Sequence, residues 1–237
     1  MQTIGLLLMA YGSPDHVDEL EEYLLDIRGD RSTPSELVEE IKERYKLIGG
    51  RSPLLDLTTK QGEALEKVIN QSLSNLGTTV SVYLGMRHWQ PRISDAVKKM
   101  ARDGIQKAIA LVMAPHSSRL STGAYFARLD EALHSQKLDI KIEKIEHWYD
   151  QDGLIDAFTG LAKDALDYFS KEDVYVLFTA HSLPEQILAQ GDPYQDQLMV
   201  TANLIAERLD LEPDRWKFCY QSAGQTQEVW LGPAIED

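Results

Sequence analysis

A single cysteine, Cys219, in 237 residues leaves no partner for an internal disulfide. It also leaves no set of thiolates for an iron–sulfur cluster or any other Cys-based metal centre within one chain. No apolar run approaches the roughly 18 residues that a membrane-spanning helix requires, so no membrane span is expected. Cations are scarce: 24 Lys and Arg stand against 38 Asp and Glu, a net charge of −14. That balance argues against nucleic acid held by phosphate neutralisation, and it repels anionic ligands in general. Met1-Gln2-Thr3, ahead of the apolar Ile4–Ala10, lacks the basic n-region of a secretory signal. No G-x-G-x-x-G follows that first apolar run and no G-x-x-x-x-G-K-[ST] occurs, so nucleotide binding has no motif support. A cytoplasmic location is the expectation.

What is present is ordinary globular composition, 43% hydrophobic and 26% charged, with length enough for one large domain or two small ones. On so acidic a chain, an anionic ligand needs a local basic cluster. The first 51 residues hold one candidate: Arg28, Arg31, Arg44 and Arg51. Strand-like apolar runs alternate with amphipathic helical stretches almost throughout. Ile4–Met9 reads as a strand covered on both faces. Helices are expected over Val17–Ile27 and Pro34–Lys46, the second with Thr33 as N-cap, Pro34 at its first position and Glu36 completing the capping pattern. Then come a helix over Asp56–Leu73, strand Thr79–Gly85, helix Ile93–Arg102, strand Lys107–Met113, helix Thr122–Ser135 and strand Ile140–Glu146. Helix Gly153–Phe169, strand Val174–Thr179, helix Tyr194–Arg208 and strand Trp216–Tyr220 complete the series.

Such alternation predicts an α/β fold with parallel sheets flanked by helices, in which ligands bind outside the carboxyl ends of the strands. The residues leaving those ends are Ala10-Tyr11-Gly12-Ser13, Met86-Arg87-His88-Trp89, Pro115-His116-Ser117-Ser118, His147-Trp148-Tyr149 and Ala180-His181-Ser182. Four of the six histidines fall there. A break near His147 suggests two similar halves, residues 1–150 with four strands and 151–237 with two. Two strands make a poor sheet. Ala234-Ile235-Glu236-Asp237 reads as the start of a further helix, so the second half looks cut off.

The most informative segment is Thr179-Ala180-His181-Ser182-Leu183-Pro184-Glu185. A strand delivers His181 to the sheet edge, where a neutral imidazole can ligate a divalent metal or accept a proton near pH 7. A histidine that only hydrogen-bonds its own turn would look the same.

This segment resembles the S/T-A-H-S-L-P signature of ferrochelatases. Other segments match that family in the same order: Met9–Pro14, Ile27-Arg28, Arg44–Leu54, Gly85–His88, Met113–Ser118, Glu146–Tyr149, Gly191–Tyr194, Gln221–Gly224 and Trp230–Pro233. The resemblance implies two Rossmann-like lobes of the class-II chelatase kind, the second incomplete. It also implies insertion of ferrous iron into a porphyrin in haem biosynthesis. By that resemblance His181 is the iron ligand and acceptor of a pyrrole proton. Tyr11 is similar to the tyrosine that approaches the metal axially in the coproporphyrin branch, which points to coproporphyrin III as substrate and coproheme as product. Arg28, Arg44, Tyr45 and Ser52 match positions that hold the propionates and the porphyrin edge. Tyr125 matches a further porphyrin contact, and His88 a pocket-wall histidine. Relatives often carry lysine where this chain has Arg87.

Each residue has a plainer reading. Arg28 and Arg44 are also what helix-surface cations look like, Tyr11 could be a packing residue, and Ser52 before Pro53 could be a turn residue. Trp89 and Trp148 suit a core or an apolar slot equally, while His16 and His134 sit on solvent-like stretches. The implied reaction grips the porphyrin rim, bends the ring and places a base at its centre. It needs ferrous iron and porphyrin as substrates, and no redox cofactor, nucleotide or iron–sulfur cluster. Other haem-pathway enzymes are further expected partners, and a complete chain is expected to be a monomer. The family's glutamate opposite the histidine follows the W-L-G-P segment, and neither Glu185 nor Glu228 matches it. Little activity and a weakened second half are therefore expected of a chain ending at Asp237. Competing readings are a cobalt or other class-II tetrapyrrole chelatase, and a porphyrin-binding module without catalysis. A bilobed periplasmic-type binding protein is disfavoured by the missing signal.

Overall fold

The computed structural model describes residues 2–169, 174–224 and 226–237. The chain forms two compact units, Met1–Met113 with Ala124–Glu146, and Ala114–Gly123 with His147–Asp237.

In the first unit, strands β1 (Gln2–Ala10), β2 (Thr78–Met86), β3 (Lys107–Val112) and β4 (Lys141–Ile145) form one all-parallel sheet in the order β2-β1-β3-β4. The continuous apolar run of β1 makes it an inner strand: Leu6 through Ala10 are each at most 5% exposed. Its alternate side chains serve opposite faces. Leu6 and Leu8 pack with Leu65 and Ile69 of helix α3 (Leu54–Ser72) and with Leu73, which caps it. On the other face, a Cβ on Gly5 would lie 2.8 Å from Met100 Cε of helix α4 (Ile93–Arg102), so a larger residue there would push the methionine end aside. Helices α1 (Leu20–Ile27) and α2 (Ser35–Leu47) share a small core of Leu20, Tyr23 and Trp89 with Ile27, Ile41 and Tyr45 packed against it. Trp89 is thus a core residue. Helix α5 (Thr122–Ser135) buries Tyr125, Leu129 and Ala132.

In the second unit, β5 (Val176–His181) and β6 (Trp216–Gln221) pair in parallel, with helices α6 (Asp152–Leu166) and α7 (Tyr194–Arg208). Its core joins Ile187, Tyr194, Leu198, Tyr220 and Leu231.

Three local expectations are corrected. The stretch from Val17 opens as a 3-10 turn, Val17–Glu19, whose Glu19 carboxylate accepts from the N–H groups of Asp15 and His16, before α1 begins at Leu20. Thr33 does not cap α2. Pro34 (ψ 137°) is the capping residue, its carbonyl already accepting from Val38 N–H, so the helix starts one residue later and Thr33 Oγ1 finds no partner. The tail from Ala234 is not helical. Tyr220 N–H donates to the Pro233 carbonyl and Ile235 N–H to the Tyr220 carbonyl, so Ala234 bridges in parallel beside β6. Among the described residues, no helix is long and apolar enough to cross a membrane.

Candidate functional site

The register of β1 and β2 decides which residues meet at the top of the first sheet. Ala10 lies opposite Met86, and pairing runs one step further, with Arg87 N–H donating to Ala10 O and His88 N–H to Tyr11 O, both at 2.9 Å. Gly12 follows at φ +92°, and a Cβ there would sit 2.8 Å from Trp89 N. Only glycine combines that left-handed backbone with so close an approach. Tyr11 and His88 are thereby held ring against ring, centroids 4.6 Å apart and tilted by 50°. Tyr11 remains 41% exposed while His88 is buried.

His88 has a partner that sequence reasoning missed. Its Nδ1 lies 2.7 Å from Asp26 Oδ2 near the end of α1, and Arg92 Nη1 donates to the other carboxylate oxygen at 2.8 Å. Because a carboxylate only accepts, Nδ1 carries a proton and Nε2 keeps its lone pair in the neutral ring. Burial holds His88 below the usual histidine range; its hydrogen bond to Asp26 opposes this, and the charges of Arg87 and Arg128 add to the lowering. Partial burial works to raise Asp26, but the hydrogen bonds from His88 and Arg92 and the charge of Arg92 outweigh it and leave the carboxyl below its usual range. Tyr125 on α5 is buried under the Arg87 guanidinium, 5.3 Å from its ring centroid, and burial pushes its hydroxyl up to about 12. Burial raises Tyr11 as well, against the opposing charge of Arg87.

The other expected residues of this unit are placed separately. The Tyr45 hydroxyl is 3.0 Å from Ser13 Oγ, which ties α2 to the end of β1. Arg44 forms an exposed i,i+4 ion pair with Glu40. Arg28 closes α1, and its Nε is buried with no hydrogen-bond partner. Ser52 Oγ accepts from Leu54 N–H at 3.2 Å, a local bond at the entry to α3. Arg51 is spent on Asp15 and Asp56.

In the second unit β5 ends at His181, which is exposed. Its Nδ1 lies 2.6 Å from the Ser182 carbonyl, again fixing the proton on Nδ1 and leaving the lone pair on Nε2. The backbone beneath is heavily anchored. Tyr194 hydroxyl donates to His181 O at 3.0 Å, Ser182 Oγ to Leu231 O at 2.8 Å, and Leu231 N–H to Leu183 O at 2.9 Å. The same unit fixes the loop after β3: Asp192 accepts from Ser118 Oγ and Arg119 N–H, Gln197 from Ser117 N–H, and Thr201 Oγ1 lies 2.9 Å from His116 Nε2. Burial drives His116 down to about 4. Among the described residues, no group of three or more His, Cys, Asp or Glu could hold a metal ion.

Asp26 and Arg92 gave no signal in the sequence, and Tyr194 only as the end of the Gly191–Tyr194 segment. An acidic residue on an amphipathic helix of an acidic chain is unremarkable, and only the fold shows that Asp26 turns inward to His88.

A family model described as Ferrochelatase matches residues 3–237. The chain is 40% identical over 237 residues to a protein of Deinococcus radiodurans named Ferrochelatase, covering 99% of this chain and 74% of that one. It is 41% identical to a Ferrochelatase of Herpetosiphon aurantiacus, covering 98% and 76%. It is 40% identical to the Coproporphyrin III ferrochelatase of Oceanobacillus iheyensis, covering 99% and 74%.

Proposed function

Because the chain belongs to the ferrochelatase family, enzymes that insert metal into a porphyrin, we propose that its metal is ferrous iron and its porphyrin coproporphyrin III, with coproheme as product. Insertion must strip two pyrrole protons and replace the ion's water with ring nitrogens, so a base with an available lone pair is the first requirement. The observation that carries the reading is the His181 imidazole, exposed at a strand end with Nδ1 committed to the Ser182 carbonyl. That bond selects Nε2 as the atom that accepts a pyrrole proton or ligates iron. The bonds from Tyr194 and Ser182 keep its backbone from shifting.

On the first unit, the proposed roles divide by chemistry. Arg28 and Arg44 grip propionates, since a guanidinium fork matches a carboxylate and Arg28 Nε has no other partner. Glu40 would have to release Arg44, a small cost for an exposed pair. The Tyr45 and Ser52 hydroxyls and the Tyr125 ring contact the porphyrin edge. Tyr11, exposed and raised above the usual phenol range by burial of its surroundings, stays protonated at neutral pH and is offered as a neutral axial oxygen. His88 supports Tyr11 from behind. Iron and porphyrin are both substrates here; the scheme asks for no redox cofactor, nucleotide or iron–sulfur cluster.

Support for coproporphyrin over protoporphyrin comes from Tyr11 and from the name of the Oceanobacillus relative. The test is anaerobic ferrous insertion into each porphyrin, followed by absorbance. Faster turnover with coproporphyrin III is expected. Preference for protoporphyrin IX, or tight porphyrin binding without insertion of iron, would overturn the assignment.

A further inference from the structure

Almost every ion-paired cation of this acidic chain sits on the surface beside a carboxylate: Lys42 with Glu39, Lys46 with Glu43, Lys99 with Asp103, Lys144 with Asp130, Arg208 with Asp152 and Asp156. A group of three arginines in the first unit departs from that habit. Arg87, Arg92 and Arg128 line one cavity of about 230 Å³ between the end of β2, the start of α4 and the outer face of α5. Among the described residues, neither Arg87 nor Arg128 has a carboxylate within ion-pair distance, and Arg92 gives only Nη1 to Asp26. Glu131 is the single acid on the wall.

The remaining wall strengthens the positive field. Ile93 and Ser94 belong to the first turn of α4, so the positive end of the helix dipole adds to the guanidiniums, and Ser94 brings a hydroxyl. Asp26 offsets part of the Arg92 charge and Glu131 a second, so the three guanidiniums still leave positive charge in excess around the space. The volume lies below the roughly 300–1,000 Å³ of pockets for drug-sized ligands and suits a small ion with a few waters.

We infer that the cavity walled by Arg87, Arg92 and Arg128 is a binding site for a small tetrahedral oxyanion of the phosphate class. Guanidinium forks approaching from several directions match the several oxygens of a tetrahedral ion better than the two of a simple carboxylate. The site is independent of the reading of Arg28 and Arg44, which do not line it.

The probe is inorganic phosphate, titrated into the full chain at low ionic strength by calorimetry and by ³¹P line width. Saturable one-to-one binding in the millimolar range or tighter is expected. Arg128→Gln should weaken it at least about tenfold, one guanidinium contact being worth roughly that much. Glu131→Gln should tighten it, an opposite change that misfolding cannot produce. Sulfate should compete and acetate should not. Binding should persist when coproporphyrin III is present at saturation. Non-saturating heats, indifference to Arg128→Gln, preference for acetate, or full displacement of phosphate by the porphyrin would each overturn the inference. The last result would return these arginines to the porphyrin rim without touching the proposed role of His181.

Discussion

Asp26 and His88 are 62 positions apart in the chain, yet their side chains meet at 2.7 Å, with Arg92 on the far oxygen of the same carboxylate. One acidic group thus orients a buried imidazole and neutralises a guanidinium. Asp26→Asn would keep the shape but surrender the charge, and a loss of about 2 kcal/mol at pH 7 is expected from a partly buried charged network. The folded-state carboxyl lies below its ordinary value, so its contribution is present above the unfolded carboxyl range and fades as pH falls through the folded one. Urea midpoints of both proteins should therefore differ most near neutrality and converge as pH falls below the carboxylate range. A constant gap across that range would show that packing, not charge, is what Asp26 provides.

His181 is expected to separate chemistry from folding. Its ring is exposed, so His181→Ala should change stability by no more than about 0.5 kcal/mol. Iron insertion should fall at least about 100-fold, the scale of a lost general base. Porphyrin binding, followed by fluorescence, should remain. Loss of binding together with turnover would make the ring a packing element.

His116 gives the pH dependence of the second unit. Burial holds its folded value at about 4, below that of an unfolded histidine, so as pH falls below the ordinary histidine range the unfolded chain takes up a proton that the native one refuses. Stability should drop by about 1.4 kcal/mol per pH unit across that window, about 3 kcal/mol at most in total. His116→Gln can keep the hydrogen bond to Thr201 and should flatten the slope between pH 6.5 and 4, read from urea midpoints as a function of pH. An unchanged slope would assign the acid lability to other groups.

Arg44 and Arg28 are expected to act on substrate affinity. Arg44→Gln breaks only an exposed pair with Glu40, so the fold should be indifferent. The KM for coproporphyrin III should rise about tenfold, equivalent to about 1.4 kcal/mol, and the KM for the less acidic protoporphyrin IX should rise less. Arg28→Gln should behave alike, its Nε having no protein partner to lose. Equal effects on both porphyrins would argue against a propionate grip by either residue.

Much of the architecture was readable because it is written in local periodicity. Helices Ile93–Arg102, Thr122–Ser135 and Tyr194–Arg208 begin and end where the pattern of apolar residues predicts, and the strands fall four and two to the sheets as expected. The errors lie where a neighbour distant in sequence overrules a local signal. Ala234 looks like a helix start but finds the free edge of β6 beside Tyr220, and backbone pairing with a strand wins over the weak propensity of a few residues. Thr33 has the side chain of a cap, but the helix begins at the Pro34 carbonyl and leaves that hydroxyl aside.

The linear chain alone determined the α/β class, the burial of the apolar first strand on both faces and the residues that leave each strand end, because these follow from spacing along one chain. It also carried the family resemblance through His181 and its flanking Ser182-Leu183-Pro184. Tertiary structure decided what those residues touch. It gave His88 to Asp26, committed Nδ1 of His181 to the adjacent carbonyl, and gathered Arg87, Arg92 and Arg128 around one cavity. Partnership among charged groups depends on distances across the fold, which periodicity cannot encode; it is settled only when strands in register bring remote positions within a few ångströms.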